Sequence, residues 1–257
     1  MKNNNDTYER SNVIAEYKNK DRLTPPEIAI LKIIERAGLE SMLDIGVGTG
    51  RTTLHYAPLF KKYIGIDYSK RMVEASKKRF SLSPEFSFEY CDATNMSMFE
   101  DNSFDFILFS FNGIDCVSYE ERLKILKEIK RIGKADSFFA FSTHNLYNAP
   151  LLYSFQFPKN PFKYFREYKR SSGVNKLNPP LNEILKKDSI TLIDGDIDFS
   201  AEYFYYKPEK QIKELIENGF DNIGIFSLKS GKELAGNTKW ENINDPWLYF
   251  LCKNIKI

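Results

Sequence analysis

Short apolar runs alternate with amphipathic segments along most of the chain. Five of these runs, at residues 42–45, 63–67, 86–90, 104–110 and 138–142, are typical of buried strands. The segments between them carry apolar residues at the spacing of one helix face. Strands that alternate with helices in this way form βαβ units, so the pattern predicts an α/β protein with a parallel sheet.

Two helices are predicted before the first strand. Residues 8–17 are polar with an apolar stripe, which predicts a short amphipathic helix. Thr24 is followed by two prolines and then by Glu27, which is typical of a capped helix start. That second helix is expected to end at Gly38.

The alternation stops after the fifth predicted strand, and residues 146–206 are predicted to form an insertion. The insertion contains an aromatic and basic stretch, a Pro179-Pro180 break, and two strand-like runs (190–193 and 199–206) around Asp194-Gly195-Asp196. A helix from Pro208 to Gly219 and strands at 223–228 and 247–252 then resume the pattern. We therefore expect residues 1–257 to form a single domain with one insertion.

The segment Asp44–Gly50 reads DIGVGTG and lies between the first strand and the following helix. Its glycines permit positive φ and a close approach of ligand to backbone, and a helix N-terminus offers N–H groups to an anion. A dinucleotide-binding loop would have its third glycine at the position of Arg51, so a nicotinamide cofactor is disfavoured. Asp67 and Asp92 follow the next two strands, where a carboxylate can accept hydrogen bonds from ribose hydroxyls.

Taken together, these motifs resemble those of the class I S-adenosylmethionine-dependent methyltransferases. The resemblance also includes the run Ser103–Ile107 at the fourth strand, and it extends over about residues 20–145. It implies a Rossmann-like seven-stranded sheet of order 3-2-1-4-5-7-6 whose last strand is antiparallel. It further implies S-adenosylmethionine as cofactor and S-adenosylhomocysteine as product.

The resemblance also implies which residues hold the cofactor. Asp44 and the glycine loop would hold the methionine end, Asp67 the ribose, and Asp92 the adenine amino group. Arg51 would face the methionine carboxylate or else lie at the surface. The full expected cofactor set is Tyr17, Asp44, Gly46, Gly48, Gly50, Arg51, Asp67, Tyr68, Met72, Asp92, Ala93, Phe109 and Ser110. Residues 1–22 would cap this site, as in many members of the family.

Two segments, 111–115 and 142–145, follow the strands that open on the expected cofactor. His144 is the expected general base, because an imidazole with an ordinary pKa of about 6.5 can accept a proton near neutral pH. The alternative is a histidine that only orders its loop, and Asn112-Gly113 is also strong turn chemistry. The expected acceptor-binding residues are Tyr8, Asn112, Asp115, Asn145, Arg166, Arg170, Tyr205 and Tyr206.

The charge of the chain is balanced overall but not locally. The chain has 37 Lys+Arg and 35 Asp+Glu, which argues against a broad nucleic-acid surface. Bases nevertheless interleave with aromatics over residues 155–176, with Glu167 as the one acid. This predicts either a solvated helix face or a site for an anionic acceptor, with RNA as a weaker alternative. The aromatic side chains, 15% of the chain, are expected to wall the acceptor pocket.

Several classes of protein are disfavoured. No run approaches about 18 apolar residues, and the start of the chain lacks a secretory pattern. Three scattered cysteines and two histidines predict neither a disulfide framework nor a metal site. The sequence thus predicts a cytoplasmic protein that acts on a small molecule, without a membrane or nucleic-acid partner. The oligomeric state is left open.

A second resemblance concerns the acceptor. Residues 23–27, 110–115 and 141–145 look like segments of small methyltransferases from bacterial surface and capsular polysaccharide clusters. This implies O-methylation of a sugar, a nucleotide-sugar or a phosphoramidate. The alternatives are N-methylation of another small metabolite and a cofactor-binding sensor or scaffold without catalysis.

Overall fold

A computed structural model describes residues 4–10, 13–14, 21–236 and 238–256 of the chain. Within these residues the strands are β1 Ser41–Ile45, β2 Lys62–Asp67, β3 Phe86–Tyr90, β4 Phe104–Phe109, β5 Gly133–Asn145, β6 Ser189–Leu192, β7 Tyr203–Tyr206, β8 Phe220–Ser227 and β9 Trp247–Asn254. The helices are α1 Asn5–Tyr8, α2 Pro25–Ala37, α3 Thr53–Tyr56, α4 Lys70–Arg79, α5 Tyr119–Ile132, α6 Ala149–Tyr153, α7 Tyr164–Leu177, α8 Leu181–Ile184 and α9 Pro208–Glu217. None of these helices has the length and apolarity needed to cross a bilayer.

All nine strands belong to one sheet. Strands β3, β2, β1, β4 and β5 are parallel neighbours in that order. β9 pairs antiparallel with the other edge of β5, and β8 pairs antiparallel with β9. When the two strands of the insertion are left out, β8 and β9 are the sixth and seventh strands. The predicted order 3-2-1-4-5-7-6 is therefore confirmed.

The insertion joins the sheet at the carboxyl end of β5. β6 and β7 form an antiparallel hairpin, and β7 pairs with β5 through His144 with Tyr205 and Asn145 with Tyr206. β6 has the predicted length and begins one residue early, whereas β7 is shorter than the predicted 199–206. Ile197, Asp198 and Phe199 have positive φ, which interrupts the extended backbone expected from residue 199 onwards.

Strand β5 is longer than the predicted 138–142. Gly133 pairs with Phe104 of β4, and a bulge with Asp136 at φ 59° takes up the extra residues before Phe138 pairs with Phe106. At its other end β5 continues through His144, which is therefore held in the sheet and not in a loop.

Both faces of the sheet are covered by helices. In β4 the alternate side chains Phe106 and Leu108 pack with Ile30 and Ile34 of α2. The intervening Ile107 packs on the opposite face with α5 and α9. The predicted helix 8–17 is observed only in part: α1 ends at Tyr8, and Tyr17 lies outside the described residues.

Arg122 of α5 is completely buried beneath the carboxyl end of the sheet. Its guanidinium donates to Asp115 Oδ1 at 2.9 Å, to Glu214 Oε1 at 3.1 Å, and to the side-chain oxygen of Gln211. A buried charge is tolerated only when it is paired, so these residues form an interdependent group that connects α5, α9 and the loop after β4.

Replacing Arg122 with Leu should strongly destabilise the fold, because it leaves two buried carboxylates without their counter-ion. The free energy of unfolding, measured by urea denaturation, is expected to fall by about 3–5 kcal/mol. The control is Lys127→Leu, an exposed position on the same helix, where a change within about 0.5 kcal/mol is expected. Equal effects at both positions would contradict the importance of this ionic group.

Candidate functional site

The loop after β1 is held in shape by glycines and by Asp67. Gly46 and Gly48 have φ of 66° and 56°, values in the left-handed region that favours glycine. The N–H of Gly48 donates to Asp67 Oδ2 at 2.9 Å, and the N–H of Ser69 donates to Oδ1 at 2.8 Å. Burial raises the pKa of Asp67 to about 6. Gly50 has a packing role: a Cβ there would lie 2.3 Å from the ring of Phe80.

A first cavity opens between this loop, β4 and the N-terminal segment. It is lined by most of the residues expected to bind the cofactor: Gly46, Gly48, Asp67, Tyr68, Met72, Ala93, Phe109 and Ser110. Phe111 and Gly113, from the loop after β4, also line it. Tyr8, expected to contact the acceptor, lines this cavity too, with its ring 6.2 Å from that of Tyr68.

An adjoining recess is formed by the glycine loop, Asp44, Arg51 and Ser110. Asp44 Oδ2 accepts hydrogen bonds from Thr52 Oγ1 at 2.6 Å and from the Tyr63 hydroxyl at 2.8 Å. Burial raises the pKa of Asp44 to about 6. Its carboxylate therefore fixes the loop and forms one wall of the recess.

Arg51 faces this recess and does not lie at the surface. Its guanidinium makes a two-pronged ion pair with Glu27, at 2.7 and 2.5 Å, and lies 4.9 Å from the ring centroid of Phe111. Burial alone would raise the pKa of Glu27, but hydrogen bonds from Arg51 and Ser110 and the charge of Arg51 hold that pKa below its usual value. The sequence predicted Glu27 only as a capping residue for α2, so its place in the site was missed.

Asp92 lies outside the first cavity. Its side chain is exposed, and its Oδ1 accepts 2.8 Å hydrogen bonds from the N–H and the hydroxyl of Thr94. Its neighbours Cys91 and Ala93 line the cavity instead. A contact between Asp92 and an adenine amino group thus stays a prediction, and the expected contact of Tyr17 falls outside the described residues.

His144 lies in a second cleft beside the first cavity. Its Nδ1 is 2.8 Å from Asp115 Oδ2, and its Nε2 is 3.3 Å from Asn112 Nδ2. The ring stacks on Tyr205 with centroids 4.6 Å apart. Because the Asp115 carboxylate accepts hydrogen bonds, it favours the tautomer with its proton on Nδ1. The Nε2 lone pair is then directed at Asn112.

Asp115 lies beneath His144 and is not among the residues that line either cavity, so its expected contact with an acceptor stays a prediction. It is completely buried, and its two oxygens accept hydrogen bonds from Arg122, from Thr143 Oγ1 at 2.7 Å, and from the backbone N–H of His144 at 2.7 Å. With the Nδ1 contact, these bonds fix both the backbone and the ring of His144. The role of Arg122 in this arrangement was not predicted from the sequence.

Two more residues expected to bind the acceptor lie elsewhere. Asn145 is buried and donates to the carbonyls of Ile243 and Asp245, both at 3.1 Å, so it anchors the segment before β9. Tyr206 does not line the cleft, because alternate side chains of β7 point to opposite sides. Its ring packs instead near the guanidinium of Arg122.

The charges around the cleft are mixed. Arg166 and Arg170 line it as expected, but Arg170 is paired with Glu167 at 2.6 Å and donates to the carbonyls of Leu152 and Ser154. Asp194, Asp196 and Asp198 also line the cleft. These acids offset the bases, so the cleft does not show the basic character expected for an anionic acceptor.

The aromatic residues of the basic stretch do not wall the cleft. Phe157, Phe162 and Phe165 are 83%, 93% and 80% exposed. The aromatic side chains that line the cleft are Phe199 and Tyr205, from a later part of the insertion, and Trp247 of β9. The insertion thus contributes to the aromatic wall as expected, but not through its aromatic and basic stretch.

A thin partition separates the two cavities. Phe111 lines the first cavity and packs on Trp247, which lines the second, with ring centroids 5.9 Å apart. Asn112 Oδ1 and Trp247 Nε1 are buried and have no hydrogen-bond partner among the described residues. Trp247 lines the second cavity, whereas Asn112 is not among the described residues that line either one.

Part of the chain is similar to known methyltransferases. Residues 42–136 match the family model of the methyltransferase domain. A ubiquinone/menaquinone biosynthesis C-methyltransferase from Geotalea uraniireducens is 35% identical over 129 residues, which is 46% of this chain and 52% of that protein. A demethylmenaquinone methyltransferase from Clavibacter sepedonicus is 29% identical over 129 residues, 49% of this chain and 51% of that protein. The chain spans about half the length of these curated relatives.

The whole fold has counterparts among solved structures. An S-adenosylmethionine-dependent methyltransferase from Clostridium acetobutylicum covers 90% of this chain and 92% of its own, with a TM-score of 0.63 and 16% identity. The similarity confirms the Rossmann-like methyltransferase fold. Residues 42–136 thus match a methyltransferase domain model, and the chain has the fold of the solved methyltransferase.

Cofactor binding should weaken in mild acid because of Asp67. A carboxylate accepts hydrogen bonds from ribose hydroxyls best when it is ionised, and Asp67 takes up a proton as the pH falls through about 6. The affinity for S-adenosylhomocysteine, measured by calorimetry, is expected to fall between about pH 7 and pH 5.

Asp67→Asn provides the test of this assignment. It should bind about 10- to 100-fold more weakly at neutral pH and show a flatter pH dependence. Asp92→Asn is the matched control: an unchanged pH profile is expected, and any loss of affinity there would measure a contact with adenine. An undiminished affinity in Asp67→Asn would refute the ribose role.

Proposed function

We propose that this protein is an S-adenosylmethionine-dependent methyltransferase that transfers a methyl group to an oxygen of a small polar acceptor. The observation that carries the proposal is the adjacency of two cavities. One is lined by the glycine loop and Asp67, and the other contains the ring of His144 oriented by Asp115. Phe111 of the first cavity packs on Trp247 of the second.

The residues of the first cavity fit S-adenosylmethionine. Gly46 and Gly48 have no side chain, so a ligand can approach the backbone of the loop closely. Asp67 supplies a carboxylate for the ribose. Arg51 and Ser110 line the adjoining recess, where a guanidinium and a hydroxyl suit the charged amino-acid end. The apolar side chains of Met72 and Ala93 suit a purine face.

When bound, the cofactor supplies a methyl group on a positively charged sulfur that leaves as a neutral thioether. The protein has to hold the acceptor oxygen in line with that methyl carbon and remove the hydroxyl proton. His144 Nε2 accepts this proton in place of its contact with Asn112. Asp115 stabilises the resulting imidazolium, as the carboxylate partner of a histidine base does in other enzymes.

Asn112 and Trp247 can orient the acceptor at the partition. Asn112 Oδ1 can accept a hydrogen bond and Trp247 Nε1 can donate one, and both atoms are without partners among the described residues. An acceptor with two neighbouring hydroxyls would satisfy both atoms while presenting one oxygen to His144. This arrangement supports a polyhydroxylated compound such as a sugar or a nucleotide-sugar.

A role in surface or capsular polysaccharide synthesis follows only from the sequence resemblance of three short segments. The curated relatives favour a second candidate, C-methylation of a quinone precursor, since both are named for methylation in quinone biosynthesis. Methyl transfer from labelled S-adenosylmethionine distinguishes the two. Nucleotide-sugars and phosphoramidates are tested beside hydroxynaphthoquinones and small amines, and a labelled sugar product is expected.

Replacing His144 with Ala should lower kcat/KM for an oxygen acceptor by about 100-fold or more, because the proton then lacks a base. The affinity for S-adenosylhomocysteine, measured by calorimetry, should stay within about twofold, since His144 does not line the first cavity.

The matched control is the other histidine. His55 is exposed and contacts the backbone carbonyl of Asp21, so His55→Ala should retain nearly full activity. Full activity of the His144 variant would disprove the base assignment and favour N-methylation, since an amine needs little help from a base.

A further inference from the structure

The outer surface of the insertion exposes an unusual number of aromatic side chains. Phe157, Phe162 and Phe165 are each at least 80% exposed, and Tyr168 is 64% exposed. Phe165 and Tyr168 belong to the outward side of α7, whose inward side carries the buried Ser171 and Val174. Most of the surface of each of these four side chains is therefore exposed.

Cations surround these rings. Lys159 and Lys163 are exposed on the segment leading into α7, and Arg166, Lys169 and Lys176 are exposed on the helix itself. Glu167, the one acid among residues 155–177, is bound to Arg170, and Lys169 lies 3.9 Å from Asp198. Neither ion pair involves Lys159 or Lys163. We call residues Phe157, Lys159, Phe162, Lys163, Phe165 and Tyr168 the aromatic-basic face.

We propose that the aromatic-basic face binds the surface of an anionic lipid bilayer. Aromatic rings enter the boundary between headgroups and acyl chains, while Lys side chains extend their charged ends to headgroup phosphates. The charge of the face complements such a surface, since each nearby Lys or Arg adds to the attraction of anionic lipids. The contact is peripheral, with α7 lying along the membrane.

A lipid surface fits this face better than a nucleic acid does. Three of the four rings are phenylalanines, which have no polar atom and lose no hydrogen bond when they enter hydrocarbon. Single-stranded RNA requires a groove that follows its backbone, with bases stacked on aromatic platforms. The face is instead formed by a short turn and one side of α7, and the chain as a whole is close to neutral at +2.

This surface is connected directly to the acceptor cleft. Arg166 and Lys169 belong to α7 and also line the cleft that contains His144. Binding of the aromatic-basic face would place the cleft beside the lipid headgroups. The protein could then reach acceptors held at the membrane, although the binding itself does not require the proposed chemistry.

Vesicle sedimentation with the full chain tests the proposal. Vesicles of phosphatidylcholine with about a quarter phosphatidylglycerol should bind the protein at least about tenfold more tightly than pure phosphatidylcholine vesicles. Added salt should weaken this binding, because it screens the attraction between lysines and headgroups.

Three variants make the test specific. The triple substitution Phe157→Ser, Phe162→Ser and Phe165→Ser should reduce vesicle binding about tenfold or more, and Lys159→Glu with Lys163→Glu should do the same. All five positions are exposed, so the melting temperature and the affinity for S-adenosylhomocysteine should not change. Leu82→Ser is the matched control, since Leu82 is 96% exposed but lies outside the face.

Two outcomes would overturn the proposal. One is equal sedimentation of the wild type and the triple variant with anionic vesicles, which would show that the face does not contact lipid. The other is binding of a single-stranded RNA oligonucleotide through the same residues with no binding to anionic vesicles, which would assign the face to nucleic acid. Neither readout uses methyl transfer, so failure here leaves the proposed function intact.

Discussion

The carboxylate of Asp115 is completely buried and accepts four hydrogen bonds, from Arg122, Thr143 and both the backbone and the ring of His144. A buried carboxylate without a counter-ion is strongly unfavourable, so Arg122 has to remain beside it. Arg122 in turn binds Glu214 of α9. The orientation of the proposed base is thereby coupled to the packing of two helices against the sheet.

A second buried carboxylate plays the equivalent part at the cofactor side. Glu27 completes the capping box at Thr24 and pairs with Arg51. It also accepts hydrogen bonds from Ser110, at the end of β4, and from Tyr249 of β9. One side chain thus links the start of α2 to the glycine loop and to two strands. Each of the two cavities thus has a buried carboxylate beside it, Glu27 or Asp115, that holds neighbouring side chains in place.

The features predicted correctly from sequence are those with a local signal. Apolar alternation located the strands, and the glycine loop followed by Asp67 located the first cavity. Glu27 was missed as a site residue because its partner Arg51 lies 24 positions away along the chain. Arg122 was missed because its burial depends on Glu214, 92 positions away, although its partner Asp115 is only seven positions away. Tyr206 is different, because the two-residue period of a strand already implies that it cannot face the same way as Tyr205. The outward direction of the insertion aromatics is a tertiary property without a sequence signal.

The strand pairing between the insertion and β5 involves the last two residues of β5, His144 and Asn145. Tyr205 then stacks on the ring of His144 from the inserted strand. An exchange of this segment between homologous proteins would therefore replace the ring that packs on the proposed base together with part of the cleft wall. If His144 acts as proposed, acceptor range and catalytic rate would change together, and directed evolution of either would have to select for both.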